Sequence, residues 1–234
     1  MPLDFARIKG ICFDIDGTLS DTDDQAVAAC AKLVRPLTLI FRRMDHLHFA
    51  RKLIMAAETP GNLLYTIPDM LGLDDELMWV MERLARWSNK KPGFMLINRA
   101  AELLATLEKR YPLAVVSARN QYGTMQFLEQ FQLAPFFRTI VTGQTCKHTK
   151  PYPDPILFAA EKLGVRPYQL LMVGDTTVDI LAARRAGAQS VGVLCGFGEA
   201  AELQRAGADL ILDHTSDLLA CFEEPDPTVN GGAQ

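Results

Sequence analysis

The sequence predicts an α/β fold: a doubly wound parallel sheet with a Rossmann-like core and an inserted all-helical cap. The first observation is that short, continuously apolar runs alternate with helical patterns along most of the 234 residues. Continuous apolarity is typical of strands that are covered on both faces, as parallel sheets require. The second observation is a long block, from about residue 22 to 90, that has helical periodicity and no strand pattern.

Six apolar runs are the predicted strands. They are residues 11–13, 113–116, 139–141, 170–173, 191–194 and 210–212. One helix is predicted to start at Asp154, as N-cap, with Pro155 at its first position, and to end at Gly164. Another is predicted from near Thr177 to Gly187. This alternation of strand and helix over residues 95–220 indicates the doubly wound arrangement.

The helical block sets the predicted domain boundaries. Residues 1–20 and 91–222 form the α/β catalytic core, residues 21–90 form the helical cap, and residues 223–234 form a flexible C-terminal tail. Because the block leaves from the carboxyl end of the first strand, the cap is expected to overhang the ligand crevice of the sheet.

Composition and charge restrict the partners of the chain. The sequence has 49% hydrophobic and 22% charged residues, which is typical of a soluble globular protein, and its net charge of −4 disfavours nucleic acid as a partner. No apolar run approaches the ~20 residues that a membrane span needs. Five cysteines without a CxxC pair, and the absence of a signal-peptide pattern, predict a cytoplasmic location. The pattern makes no prediction about oligomeric state.

The most informative motif is Asp14-Ile15-Asp16-Gly17-Thr18, at the end of the first predicted strand. Side chains two apart on an extended chain share a side, so Asp14 and Asp16 are expected to face one crevice. Two carboxylates this close need a shared proton or a cation. The alternative interpretation is an ordinary Asp-Gly turn after a strand.

Three further polar sites follow predicted strands. Ser117 ends the second strand, Lys150 precedes a helix start, and Asp175 and Asp179 follow the fourth strand. Taken singly, Ser117 is more simply a helix cap, Lys150 a solvated charge and Asp179 a capping residue. Taken together, they lie where open α/β sheets bind ligands. Carboxylates suit Mg²⁺, and a lysine with a hydroxyl suits a phosphoryl group, so the set predicts phosphoryl chemistry.

These residues, in this order, resemble the haloacid dehalogenase superfamily, in particular the phosphatase branch related to phosphoglycolate phosphatases. The resemblance extends from residue 11 to about residue 219. It implies a Mg²⁺-dependent phosphatase that hydrolyses a small phosphorylated metabolite through an aspartyl-phosphate intermediate. It also implies that the helical block is a mobile cap that closes over the substrate.

The resemblance assigns a role to each polar site. Asp14 would be the nucleophile, and Asp16 would protonate the leaving alcohol and then activate water. Ser117 and Lys150 would hold the phosphoryl oxygens. A dehalogenase would need neither Asp16 nor a metal, so halide chemistry is disfavoured. The implied Mg²⁺ ligands are Asp14, the backbone carbonyl of Asp16, Asp175 and, directly or by supporting the others, Asp179.

Two other functions remain open at this point. One is a phosphotransferase or sugar-phosphate mutase with the same phospho-aspartate, and the other is a non-catalytic regulatory protein of this fold. Arg42, Arg43 or His46 of the cap could contact an anionic substrate, although a solvated basic face is the simpler interpretation. Arg119, just past Ser117, is another candidate for binding substrate charge, against the alternative of a surface loop charge.

Overall fold

The computed structural model describes residues 3–21 and 94–222. The chain divides into two compact units, one of Met1–Asp21 with Leu96–Gln234 and the other of Thr22–Met95. The predicted helical cap, its candidates Arg42, Arg43 and His46, and the predicted C-terminal tail lie outside the described residues and stay predictions. Within the described ranges, no helix combines the length and apolarity that crossing a bilayer requires.

A parallel sheet forms the centre of the described part of the chain. Its strands are β1 (Gly10–Phe13), β2 (Leu113–Val116), β3 (Phe137–Val141), β4 (Leu170–Gly174), β5 (Gln189–Val193) and β6 (Leu210–Leu212). They pair in parallel in the order β3-β2-β1-β4-β5-β6. Each of the six apolar runs therefore marks a strand, although the run 191–194 extends one residue beyond the end of β5, and the doubly wound parallel sheet is confirmed.

Helices connect and flank these strands. The described helices are α1 (Ala100–Leu107), α2 (Gln121–Gln130), α3 (Asp154–Leu163), α4 (Thr177–Ala186), α5 (Ala200–Ala206) and α6 (Leu218–Phe222). Helices α3 and α4 end at Gly164 and Gly187, as predicted. The predicted N-cap of α3 is wrong by one residue: Pro153 occupies that position, and the carboxylate of Asp154 lies 3.0 Å from Nδ1 of His148.

Both faces of the sheet are buried. Cys12, Ala114 and Met172, on neighbouring strands, join one apolar cluster with residues of α3 and α4. Ile11 and Phe13, which alternate with Cys12 along β1, are also fully buried. Side chains alternate between the faces of a strand, so apolar residues at successive positions are what a sheet covered on both sides requires.

The centre of the sheet is where its strand order reverses. β1 lies between β2 and β4, and Phe13 is aligned with Val115 on one side and Val173 on the other. The backbone N–H of Asp14 donates to the carbonyl of Val173 at 2.9 Å, which continues the register past the end of β1. In open α/β sheets, the carboxyl edge at such a reversal forms the ligand crevice.

The two ends of the long connection between β1 and α1 lie side by side. Ser20 and Leu96 form an isolated antiparallel bridge. Next to it, the N–H of Ile97 donates to the carbonyl of Leu19 at 2.9 Å. The chain thus leaves the described unit and returns to it at one place, close to the carboxyl end of β1.

Candidate active site

Three buried carboxylates converge at the carboxyl edge of the sheet. Asp14 follows β1, Asp175 follows β4, and Asp179 lies in the first turn of α4. Each offers an oxygen within 4.8 Å of those of the other two. The topology explains this convergence, because β1 and β4 are neighbours and α4 begins directly after β4.

Lys150 reaches into this acidic cluster from the loop before α3. Its Nζ lies 2.8 Å from Oδ1 of Asp14 and 2.6 Å from Oδ1 of Asp179, and the residue is only 5% exposed. Arg185 of α4 holds the same loop by donating a hydrogen bond to the carbonyl of Pro151 at 2.7 Å. The interpretation of Lys150 as a solvated surface charge is therefore wrong.

Burial and charge together set the protonation of this cluster. Burial raises the pKa of Asp14 from 3.8 to about 7; the positive charge of Lys150 opposes the shift, and the carboxylates of Asp179 and Asp16 add to it. Burial alone would lower the pKa of Lys150, but Asp14 and Asp179 together raise it well above its ordinary value. Lys150 is therefore positively charged at neutral pH, and the pKa of Asp14 lies near neutral pH.

Asp179 connects Lys150 to the N-terminus of α4. One of its oxygens contacts Lys150, and the other accepts hydrogen bonds from Thr176, from the backbone N–H at 3.1 Å and from the hydroxyl at 2.7 Å. Gly174 makes room for this arrangement, because a Cβ at that position would lie 2.4 Å from Cγ of Asp179. Asp179 thus caps the helix, as the simpler interpretation held, and also fixes the lysine.

Asp175 is fully buried, with its carboxylate facing the loop that follows β5. Its Oδ2 accepts a hydrogen bond from the backbone N–H of Phe197 at 2.8 Å, and Thr18 makes a longer contact, 3.4 Å, with Oδ1. A Cβ on Gly196 would lie 2.1 Å from Oδ2 of Asp175, so only glycine fits there. The sequence does not reveal this contact, because glycines after a strand indicate only a turn.

Asp16 forms a two-pronged ion pair with Arg119. Nε of Arg119 donates to Oδ2 of Asp16 at 2.6 Å, and Nη2 donates to Oδ1. The side chains of Arg119 and Asp16 are 17% and 28% exposed, so this pair lies nearer the surface than Lys150 does. The alternative interpretation of Arg119 as a surface loop charge is therefore wrong, because its guanidinium holds the carboxylate predicted to act as the acid.

Ser117 is buried at the end of β2, but it does not cap a helix. Its backbone N–H donates to the carbonyl of Val141 at 2.9 Å, and its Oγ accepts from the N–H of Arg119 at 3.2 Å. Asn120 caps α2 instead, accepting from the N–H of Gly123 at 2.8 Å. The hydroxyl therefore shapes the loop that carries Arg119.

The acidic cluster fits a divalent cation that prefers oxygen ligands. Three buried carboxylates beside one lysine make a site with excess negative charge, and Mg²⁺ binds through carboxylates together with waters and phosphate oxygens. Asp14 and Asp175 could hold such an ion. Asp179 is already engaged by Lys150 and Thr176. A contribution from the backbone carbonyl of Asp16 stays a prediction.

The chain is similar in sequence to known proteins over most of its length. The family model of haloacid dehalogenase-like hydrolases matches residues 11–193. The phosphoglycolate phosphatases of Shigella boydii serotype 4 and Escherichia coli strain K12 are each 30% identical over 242 residues, which cover 94% of this chain and 95% of the relative.

Solved structures show the same fold. A hydrolase from Pseudomonas syringae is 29% identical, with a TM-score of 0.67, over 91% of this chain and 96% of that one. A haloacid dehalogenase-like family protein from Streptococcus pneumoniae is 22% identical, with a TM-score of 0.68, over 94% of this chain and 100% of that one.

Proposed function

The chain belongs to the haloacid dehalogenase-like hydrolases, and from this premise we propose that it is a Mg²⁺-dependent phosphatase acting on a small phosphate monoester. The observation that carries the proposal is the contact of Lys150 Nζ with Asp14, at 2.8 Å, inside a buried acidic cluster. A carboxylate is a weak nucleophile towards an anionic ester unless nearby positive charge reduces the repulsion. The lysine supplies part of that charge, and Mg²⁺, when bound, supplies the rest.

In this proposal, an oxygen of Asp14 attacks the phosphorus atom. The bond between phosphorus and the alcohol oxygen breaks, and the phosphoryl group is carried on the Asp14 carboxylate. Asp16, when protonated, gives its proton to the departing alcohol and afterwards takes one from the water that attacks the aspartyl phosphate, which releases phosphate and restores both Asp14 and the protonated Asp16. Lys150 and Ser117 hold the phosphoryl oxygens through both steps.

Asp179 supports this chemistry without reacting. Because it contacts Lys150 at 2.6 Å and is itself held by Thr176, it fixes the ammonium group relative to Asp14. A charge that is already in place when the phosphoryl group arrives stabilises the transition state without a cost of reorganisation. The small metabolite to test first is 2-phosphoglycolate, because the curated relatives at 30% identity are phosphoglycolate phosphatases.

The test is the release of phosphate from an aryl phosphate and from 2-phosphoglycolate. EDTA is expected to abolish turnover, and added Mg²⁺ to restore it. Asp14→Asn is expected to lower kcat by about three orders of magnitude or more, because it removes the covalent route. Glu161→Gln, which changes a carboxylate that is 74% exposed on α3, serves as the matched control.

Three outcomes would contradict the proposal. Turnover without any metal would rule out Mg²⁺ dependence. Mg²⁺ binding by folded protein that hydrolyses none of a broad panel of phosphate esters would indicate a regulatory protein. Formation of a phosphorylated product faster than free phosphate would indicate a phosphotransferase or mutase.

A further inference from the structure

We propose that Arg185 is a positioning residue for the proposed reaction and that it acts through Lys150. The inference rests on the proposed function, because it concerns the lysine that binds the phosphoryl group. It starts from the hydrogen bond that Nη1 of Arg185 donates to the carbonyl oxygen of Pro151, at a distance of 2.7 Å. Pro151 directly follows Lys150 in the chain, so this hydrogen bond holds the backbone from which the lysine side chain extends.

Helix α4 contacts the lysine and its loop at two points. In the first turn of the helix, Oδ1 of Asp179 lies 2.6 Å from Nζ of Lys150. In the last turn, Arg185 binds the carbonyl oxygen of Pro151. Positions 179 and 185 are about 9 Å apart along the helix axis, at about 1.5 Å per residue. One helix therefore holds both the ammonium group and the backbone behind it.

Further contacts tie the loop to itself and to α3. Nδ1 of His148 lies 3.0 Å from Oδ1 of Asp154, the first residue of α3, and the centroids of the His148 and Tyr152 rings are 4.9 Å apart. The N–H of Tyr152 donates to the carbonyl of Thr149 at 2.9 Å. These contacts set the shape of the loop, whereas Arg185 sets its position relative to α4.

The backbone position of Lys150 matters because the ammonium group changes partners in the proposed reaction. In the structure it contacts Asp14 at 2.8 Å, and in the reaction it binds phosphoryl oxygens. The aliphatic stem of a lysine is flexible, so the place of the ammonium group depends on what holds each end of the side chain. During the exchange of partners, the contact with Asp179 and the held backbone keep the ammonium group in place. A charge that is placed in advance stabilises the transition state most effectively.

Removing the guanidinium is expected to slow phosphoryl transfer more than it weakens binding of the ester. Arg185 is exposed, so water competes for the carbonyl oxygen and the effect is that of one ordinary hydrogen bond. Arg185→Met is expected to lower kcat/KM for an aryl phosphate by about 3- to 10-fold. The loss should lie in kcat, with KM changed by less than about twofold, because the lysine is still present but less accurately placed in the transition state.

Arg184 provides a matched control in the same turn of α4. It is also exposed, and its Nη1 donates to the carbonyl oxygen of Ala206, the last residue of α5, at 3.4 Å. Both arginines place a positive charge at the carboxyl end of α4, where it interacts favourably with the helix dipole. Arg184→Met thus removes the same charge and the same kind of hydrogen bond, away from the loop of Lys150. It should change kcat/KM by less than about twofold.

Binding of orthovanadate supplies a measurement that does not depend on turnover. Vanadate can adopt the five-coordinate geometry of a phosphoryl group during transfer, whereas inorganic phosphate resembles the product. With MgCl₂ present, Arg185→Met is expected to weaken vanadate binding by about 3- to 10-fold and phosphate binding by less than about twofold, as measured by calorimetry. Arg184→Met should leave both affinities nearly unchanged. A contact that only supports the fold would weaken binding of the two anions equally.

The outcomes separate this inference from the proposed function. Absence of turnover by the unaltered protein, across a broad panel of phosphate esters, would contradict the proposed function. Turnover by the unaltered protein with equal kcat/KM in Arg185→Met and Arg184→Met would overturn the inference alone, and so would equal weakening of vanadate and phosphate. If Arg185→Met fails to fold, Arg185→Gln decides, since it keeps a polar surface but removes the charge and shortens the side chain. The same losses are expected, and an unchanged kcat/KM would overturn the inference.

Discussion

Asp14, Lys150 and Asp179 form the contact on which the candidate site depends. Burying ionised groups costs several kcal/mol each unless they are paired, so such a cluster is poorly suited to increasing stability. Its benefit is positional, because the ammonium group of Lys150 is held by two carboxylates at 2.8 and 2.6 Å. We therefore expect substitutions of these three residues to change the stability of the protein and its activity by different amounts.

Asp14 should make the stability of the metal-free protein depend on pH. Its pKa is raised by burial from 3.8 to about 7 in the folded state, so the folded protein holds this proton more tightly than the unfolded chain does. The stability from this group is fully present below about pH 4, the unfolded pKa, and is lost as the pH rises through 7. Stability should fall by up to a few kcal/mol, at about 1.4 kcal/mol per unit of pKa shift.

The measurement is urea unfolding in EDTA between pH 4 and 8, for the unaltered protein and Asp14→Asn. Asparagine stays neutral throughout, so the difference in unfolding free energy should shift in favour of the variant as the pH rises. A difference that does not change with pH would show that Asp14 ionises normally.

Residue positions after strands were predictable, whereas side-chain pairings were not. Asp14 and Asp175 are placed by the ends of β1 and β4, which their apolar runs mark. Asp16 and Arg119 are separated by 103 positions along the chain, and their pairing depends on the conformations of two loops. Sequence reasoning could nominate Arg119 for substrate charge, but it could not find the carboxylate that holds it.

At the scale of elements, the junction of β4 and α4 leaves no room for a side chain at Gly174. Gly174→Ala should destabilise the protein by about 1–3 kcal/mol, a usual cost of overpacking, and reduce activity. The reason is that the added Cβ would lie 2.4 Å from Cγ of Asp179, which must then move away from Lys150. Urea unfolding and phosphate release measure the two effects.

Gly123→Ala is the matched control for this substitution. Gly123 lies in α2, and the nearest atom to an added Cβ is Oδ1 of Asn120 at 3.2 Å. Alanine favours the helix by roughly 0.5–1 kcal/mol, so this variant should be neutral or more stable. If both alanine variants behave alike, the packing against Asp179 does not limit the junction.

The predicted boundary of a strand is wrong where polar residues occupy buried positions in that strand. β5 begins at Gln189, two residues before the apolar run that predicted it. Gln189 is satisfied by Asp4, whose N–H donates to Oε1 at 2.7 Å and whose carbonyl accepts from Nε2 at 3.0 Å. Ser190 is satisfied by Asp209. These partners are remote in sequence, so local apolarity carries no sign of them.

At the scale of the whole molecule, metal binding should stabilise the fold. Any ion that binds the folded chain alone raises stability by mass action, by about 1.4 kcal/mol at ten times its Kd. For a chain of this size that corresponds to a rise in Tm of roughly 3–5 °C. Mg²⁺ without substrate should produce this rise in the unaltered protein and in Glu161→Gln, and not in Asp175→Asn.

The comparison is made by thermal unfolding in MgCl₂ and in NaCl of equal ionic strength. Asp175 is the informative position because it is fully buried and follows the central strand β4. An equal rise in the Tm of Asp175→Asn would show that the ion binds elsewhere. The same rise in NaCl would show that the effect is general screening of charge.

The bridge between Ser20 and Leu96 bears on how the chain can be rearranged. The bridge holds the two ends of the intervening segment side by side, so this segment is joined to the core at one place. Closing a flexible loop costs only about 0.6 kcal/mol more for each doubling of its length. Segments of quite different length could therefore be exchanged at this place, by recombination or by protein engineering. The strands of the sheet and the acidic residues at its carboxyl edge would keep their positions.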